Sequence, residues 1–204
     1  MSKEYDAKLI LVGETNVGKT SLLRQYVDHL FSEEKVTTIG YDTMHKEIEL
    51  PEGKISLQIW DTCGQEQFRT VNQLFVKNSK MALLVYDITN YKTFEELKNF
   101  WYSYVTSAVG KEIIFGIAGN KSDLYENEQV KVSDAQQFAN EIGAVFKETT
   151  AKNYEAITSL IEEMSSKYIQ QSSNENKNEN ENEKIVIGKS KSQNKDRCCN
   201  RRRD

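Results

Sequence analysis

Gly13-Glu14-Thr15-Asn16-Val17-Gly18-Lys19-Thr20 follows the G-x-x-x-x-G-K-[ST] spacing, and the chemistry open to it is phosphate binding. Glycines let the backbone wrap closely enough for successive amides to point at phosphate oxygens. The apolar run 9–12 before the loop predicts a strand, and Leu22, Leu23 and Tyr26 after it predict a helix, whose N-terminus adds a partial positive charge where phosphates would sit. Lys19 can bridge the β and γ phosphates, and the Thr20 hydroxyl can ligate a magnesium ion. A flexible glycine turn is the bland alternative, and the strand, loop, helix context disfavours it. The loop alone suits ATPases, kinases and GTPases alike.

Two further clusters narrow the choice. Asp61-Thr62-Cys63-Gly64-Gln65-Glu66 follows a predicted strand ending at Trp60. An acidic residue at the C-terminal end of a strand can hold magnesium through water. Gly64 can offer an amide to the γ-phosphate, and Gln65 can orient an attacking water. Asn120-Lys121-Ser122-Asp123 closes the predicted strand over 113–118. Guanine presents two adjacent N–H donors that one ionised carboxylate, Asp123, can accept together; adenine has no such pair, so the same carboxylate rejects it. Lys121 can lay its stem across the base. An isolated Asn-Lys-x-Asp string reads equally well as a solvated loop, but following a phosphate loop in the same chain it discriminates.

With Thr38-Ile39-Gly40, Trp60-Asp61-Thr62, Gly64-Gln65-Glu66, Asn120 to Asp123 and Glu148-Thr149-Thr150-Ala151-Lys152, residues 5–170 resemble a small GTPase of the Ras superfamily, most closely the Rab branch. The resemblance implies a nucleotide site of Gly13, Asn16, Val17, Gly18, Lys19, Thr20, Ser21, Phe31, Thr38, Gly64, Asn120, Lys121, Asp123, Thr150, Ala151 and Lys152, with GTP or GDP and Mg2+ as ligands. It further implies that Phe31 stacks on guanine and that Ala151 and Lys152 read its carbonyl. Thr20, Thr38 and Asp61 then serve the metal, Thr38 only while the γ-phosphate is present. Loss of that phosphate releases Thr38 and Gly64, and with them two loops. Gln65 and Lys19 are the implied catalytic residues. Ras itself hydrolyses GTP at roughly 10⁻⁴ per second unaided and up to about 10⁵-fold faster with an activator, and the resemblance implies similar behaviour here. No built-in arginine finger is evident.

The implied function is a switch in intracellular vesicle or membrane trafficking, read out by effectors. Implied partners are an exchange factor, a GTPase-activating protein, a prenylation escort and a GDP-dissociation inhibitor, around a monomeric G domain that binds no nucleic acid. A Ras-like signalling GTPase and a nucleotide-bound scaffold are the alternatives; Lys19, Thr20, Thr38 and Gln65 argue against the scaffold. Several residues depart from the usual Rab pattern. Cys63 stands where Ala is commonest, either crowding Gln65 or simply tolerated, and Thr15 lies where a side chain can crowd the same water. The expected effector surface is Ile39, Thr43, Trp60 and Phe75, and Thr43 occupies a place where Phe is usual. These changes point to a divergent member with its own effectors.

The elements that position these groups are legible in the periodicity. Runs 9–12, 81–86 and 113–118 are nearly continuous in apolar character, as strands buried on both faces should be. Runs 45–50 and 55–60 alternate apolar and polar, joined by Pro51-Glu52-Gly53-Lys54, and read as a hairpin adding an antiparallel edge. Helical stripes are formed by Ile157, Leu160, Ile161, Met164 and Tyr168, by Ala135, Phe138, Ala139 and Ile142, and by Phe94, Leu97 and Trp101. Ser133 with Gln136 predicts a capping box. The alternation predicts an α/β domain with a mainly parallel sheet. The resemblance sharpens this to a P-loop small G domain: a six-stranded sheet with one antiparallel strand and helices on both faces.

The 204 residues with net charge −4 suit one domain and a tail. No signal-peptide pattern and no apolar run long enough for a bilayer are present, so the expected location is the cytosol and the cytoplasmic face of an intracellular or plasma membrane. Three cysteines, Cys63, Cys198 and Cys199, fit neither a disulfide framework nor zinc. The sequon Asn120-Lys121-Ser122 is read as chance overlap with the base motif. Residues 171–204 are expected to be a disordered tail, acidic over 175–183 and basic over 184–204. Paired Cys198 and Cys199 suggest prenylation, since two lipids anchor stably where one does not; palmitoylation or no lipid are the alternatives, because Asn200 to Asp204 follow the pair. Arg201, Arg202 and Arg203 would add about 1 kcal/mol each at an anionic surface. The island Ile185-Val186-Ile187 is either an escort-docking motif or a chance apolar fluctuation. A basic tail without aromatic residues makes a poor nucleic-acid arm.

Overall fold

The computed structural model describes residues 6–30, 41–62, 73–110 and 112–192. Within them lie strands β1 (Ala7–Val12), β2 (Tyr41–Leu50), β3 (Gly53–Thr62), β4 (Met81–Asp87), β5 (Ile114–Asn120) and β6 (Val145–Glu148). The helices are α1 (Lys19–Asp28), α2 (Gln73–Val76), α3 (Tyr91–Glu96), α4 (Tyr102–Val109), α5 (Val132–Ile142) and α6 (Tyr154–Ser192). A π-helical turn, Leu97–Trp101, runs α3 into α4, and a 3₁₀ turn, Ser122–Asn127, follows β5. The chain divides into two compact units, Met1–Tyr168 and Ile169–Asp204.

The six strands form one sheet in the order β2-β3-β1-β4-β5-β6. All neighbours are parallel except β2 with β3, as expected for an α/β domain with one antiparallel strand. Parallel neighbours need crossover connections, and the helices supply them. Alternation along each strand then sorts the core. Ile10, Val12, Ala82, Leu84, Tyr86, Phe115 and Ile117 pack with Phe94, Leu97, Trp101, Val105, Ala135 and Ala139 of the α3 to α5 helices. On the opposite face, Gly116 leaves room for Met164 of α6, whose sulfur would lie 2.3 Å from a Cβ at that position. Ile157, Leu160 and Ile161 of the same stripe are buried with it, so the apolar spacing read from the sequence is the face that packs.

Two local expectations are corrected. The hairpin turn is only Pro51 and Glu52; Leu50 already pairs with Gly53 and Glu49 with Lys54, and Lys54 extends the ladder through an exposed ion pair to Glu47 at 2.7 Å. Ser133 does not cap α5. The helix begins at Val132 with Lys131 as its cap, and the amides of Gln129 and Val130 are both bonded to the Ile88 carbonyl at 2.8 and 3.3 Å. That tie, with Val130 buried, delivers the chain into the helix before Ser133, whose hydroxyl turns to Asp134 at 3.2 Å while Gln136 bonds Asn140 at 3.0 Å.

Helix α6 is assigned as far as Ser192, and the few apolar side chains of 171–204 leave that stretch little surface to bury. Cys198 and Cys199 lie outside the described residues. No helix among the described residues is long and apolar enough to cross a membrane.

Candidate functional site

The chain runs from β1 toward β3 on one side of the sheet and from β4 toward β5 on the other, so β1 and β4 flank a topological switch point. Ligands of open α/β sheets bind in the crevice at the C-terminal ends of such strands. The loop 13–18 leaves β1 there. Gly13, at φ 147°, lies so close to β4 that a Cβ would stand 2.2 Å from the Val85 carbonyl oxygen. Asn16 adopts φ 63° and Gly18 φ 95°, curling the loop into a nest of amides. Helix α1 opens on Gly18 with no side-chain cap, so its N-terminus faces the loop's mouth.

Lys19 is buried, and its ammonium donates to the Gly13 and Glu14 carbonyls at 2.8 and 2.9 Å. It thus lies back along the loop it follows. Thr20 Oγ1 donates to Asp61 Oδ2 at 2.5 Å, and Asp61 is 1% exposed at the end of β3. The structure therefore joins two metal candidates that are far apart in sequence. Val17 is buried, and Ser21 lies in the first turn of α1.

The base-motif residues meet a few residues further along the same edge of the sheet. Asn120 is 2% exposed, and its amide donates to the Val17 carbonyl at 2.7 Å and accepts from Thr149 Oγ1 at 3.4 Å. It braces the phosphate loop against the 149–152 loop, a positioning task beyond the one expected of it, and it is why residue 18 must be glycine: a Cβ there would lie 2.4 Å from the Asn120 amide nitrogen. The Ser122 amide bonds the Thr149 carbonyl at 3.0 Å, tying the 3₁₀ turn to the same loop. Asp123 accepts from Thr150 Oγ1 at 2.6 Å and from the Lys152 ammonium at 2.7 Å. Partial burial pushes the Asp123 carboxyl up, but hydrogen bonds from Lys152, Thr150 and the backbone, with the Lys152 charge, outweigh it and leave the pKa below the usual aspartate value. Asp123 is consequently ionised at neutral pH, the state that two-donor recognition demands. Ala151, between Thr150 and Lys152, is buried.

Two participants escape sequence reasoning. Asp87, at the end of β4, accepts from Lys121 Nζ at 2.5 Å, and its other oxygen takes the Thr89 amide and hydroxyl at 2.9 and 2.7 Å. Its place at a strand's C-terminal end was the available signal. The second is Trp101, whose indole N–H donates to the Glu14 carboxylate at 3.0 Å. The π-helical turn ending at Trp101 re-aims the residues after it relative to a regular helix, an effect no apolar spacing records. Glu14 is thereby held twice, through its carbonyl by Lys19 and through its carboxylate by Trp101. Trp101→Phe keeps the buried ring and removes the bond; we expect a loss of about 1 kcal/mol, seen as roughly fivefold faster release of nucleotide by stopped-flow fluorescence.

On the outer part of the sheet, Trp60 and Phe75 approach with ring centroids 5.8 Å apart, and Thr43 pairs directly with Trp60 across β2 and β3, which puts both on one face. Phe31, Thr38, Ile39, Cys63, Gly64 and Gln65 lie outside the described residues.

The sequence model of the Ras family matches residues 8–171. The chain belongs to that family of small GTP-hydrolysing proteins. Within it the chain is Rab-like and divergent. Ras-related protein RabJ of Dictyostelium discoideum is 37% identical over 175 residues, covering 86% of this chain and 68% of the relative. Ras-related protein SEC4 of Candida albicans is 33% identical over 204 residues, 97% of both chains. Human Ras-related protein Rab-21 is 34% identical over 168 residues, 82% of this chain and 74% of the relative.

Proposed function

We propose that this GTPase is a magnesium-dependent GTP/GDP switch that regulates vesicle or membrane trafficking through GTP-dependent effector binding. One observation carries the reading: the carboxylate of Asp123, the ammonium of Lys19 and the joined Thr20 and Asp61 oxygens all stand at the C-terminal ends of the strands around the switch point. The Thr20 hydroxyl and Asp61 carboxylate are hard oxygen donors meeting at one point, a set that fits Mg2+, and these residues would hold it. When bound, the ion neutralises charge on the phosphates.

The chain's own residues do the rest. The glycine-bounded loop and the uncapped start of α1 bind phosphate oxygens. Lys19 places a positive charge among them, exchanging its carbonyl contacts for phosphate. Asp123 selects guanine, supported by Ala151 and Lys152, and Asn120 keeps the base and phosphate loops in register. Gln65 orients the water, Thr38 and Gly64 sense the γ-phosphate, and Phe31 stacks on the base. Ile39, Thr43, Trp60 and Phe75 present the nucleotide state to effectors. An exchange factor and a GTPase-activating protein set the rates. Lipidation at Cys198 and Cys199 of the 171–204 tail, served by an escort and a GDP-dissociation inhibitor, brings the 5–170 domain to the cytoplasmic face of a membrane.

Single-turnover hydrolysis tests the enzyme half of this reading. GTP loaded on the full chain should decay slowly, on the order of 10⁻⁴ per second, and by several orders of magnitude faster with an activator bearing an arginine. A flat time course under both conditions would favour a scaffold that binds without turnover.

A further inference from the structure

At the end of the sheet opposite the loops of the candidate site, a cavity of about 640 Å³ opens beneath β1 and β4. That size falls within the range of small-molecule sites, roughly 300 to 1,000 Å³. Its wall is mainly cationic: Lys8, Lys77 and Lys80 line it with one acid, Asp6, and Ser79 lies between the last two lysines.

Two of these groups, Lys8 and Ser79, are buried, and the other two lysines are exposed. Lys8 is 6% exposed. Its ammonium donates to the Phe75 carbonyl and, at 3.3 Å, to that of Lys77, and lies 4.0 Å from the centre of the Trp60 ring. Among the described residues no carboxylate pairs with it. Burial lowers its pKa, the expected response of a cation held without a counter-charge. Asp6, the acid in the lining, has one carboxylate oxygen bonded to the Ser56 amide at 2.8 Å. Lys77 and Lys80 are exposed and, among the described residues, form no ion pair. Ser79 is 5% exposed, and its hydroxyl, fully shielded from solvent, has no hydrogen-bond partner there. A buried hydroxyl in that state is destabilising. The turn that presents it is set by Asn78, at φ 64°, and by the Ser79 amide bond to the Val76 carbonyl at 3.1 Å.

We propose that this cavity binds a phosphate-ester anion, with Lys77 and Lys80 contacting its oxygens, the Ser79 hydroxyl rotating out from the floor to donate and Lys8 supplying charge from behind the wall. A phosphate ester offers acceptors to the hydroxyl and a counter-charge to three ammonium groups. The same chemistry is found in soluble phosphate esters and in phosphoinositide headgroups. The inference stands apart from the nucleotide reading, because none of these residues belongs to that site.

The test uses the full chain with excess GDP and magnesium, so that the phosphate loop is filled. Inositol trisphosphate is titrated while the backbone amides of 77–80 are followed by NMR, and co-flotation is measured with phosphatidylcholine vesicles carrying phosphatidylinositol phosphate. The expected result is a saturable shift centred on 77–80, weakened by about tenfold or more when Lys77→Gln and Lys80→Gln are combined. GDP release should be unchanged in that variant. Both changes are at exposed positions, so folding is preserved. Ser79→Ala should weaken binding without lowering the melting temperature of the ligand-free chain. Flotation that depends on the two lysines assigns a lipid headgroup; a solution shift without flotation assigns a soluble ester. No saturable shift at 77–80, or equal binding by the double variant, overturns the proposal.

Discussion

Asp123→Asn should abolish tight guanine-nucleotide binding and transfer preference to xanthine nucleotides. The carboxylate accepts from Thr150 and Lys152 at 2.6 and 2.7 Å and has further lone pairs for the two N–H donors of guanine. An asparagine keeps the shape but turns one acceptor into a donor, which then confronts the guanine amino group. Rejection of a ligand that leaves buried polar groups mismatched reaches about 10⁴-fold, so GDP affinity should fall by roughly three to four orders of magnitude. Xanthine carries a carbonyl where guanine carries the amino group, and it matches the amide. Titrating the variant with labelled GDP and with xanthosine diphosphate checks both halves; unchanged GDP affinity would remove Asp123 from the base site.

The same carboxylate fixes a pH dependence. Its pKa is depressed in the folded chain, so its contribution to stability is fully present above the unfolded aspartate value and is lost as pH falls through the lower folded value. Across the neutral range that contribution should be flat. The Lys152 side chain is about half exposed, so salt screens much of this pair, and the Lys152 share of the effect is small.

Gly13→Ala is the second large effect, and it acts through the backbone. Its Cβ would stand 2.2 Å from the Val85 carbonyl oxygen, a main-chain atom of β4 that cannot rotate away, and φ 147° is itself strained for an L-residue. Gly53, at φ 144° in the hairpin, has nothing within 4 Å of where a Cβ would stand, so Gly53→Ala isolates the backbone cost. That cost is about 1 to 3 kcal/mol, and overpacking adds a similar amount at Gly13. Denaturant midpoints should therefore fall further for Gly13→Ala than for Gly53→Ala, and only the former should lose nucleotide. Equal midpoints would show that the close approach to β4 is not what holds residue 13 to glycine.

Much of this was written in the sequence because it depends on short-range patterns. The apolar runs 9–12, 81–86 and 113–118 fall on β1, β4 and β5, which are buried along their lengths. The strands nevertheless extend past those runs, as the pairing of Asp87 with Asn120 shows, because ladder hydrogen bonds do not require apolar side chains. That extension places both residues at the candidate site. Phosphate and base motifs were legible because each needs fixed residue types at fixed spacing. What was missed depends on the third dimension: Asp87 beneath Lys121, Asn120 bracing Val17, and Trp101 turned onto Glu14 by a π-helical turn. The failed Ser133 cap has the same origin, since the bonds of 129 and 130 to Ile88 decide where α5 begins.

The most direct test of guanine-specific switching is displacement of fluorescent GDP from the magnesium-bound chain by unlabelled nucleotides. GDP and GTP should displace it near stoichiometry, while ATP should fail even at about 10³-fold excess. Displacement by ATP at concentrations comparable to GTP would contradict the assignment of Asp123, and with it the central account of the site.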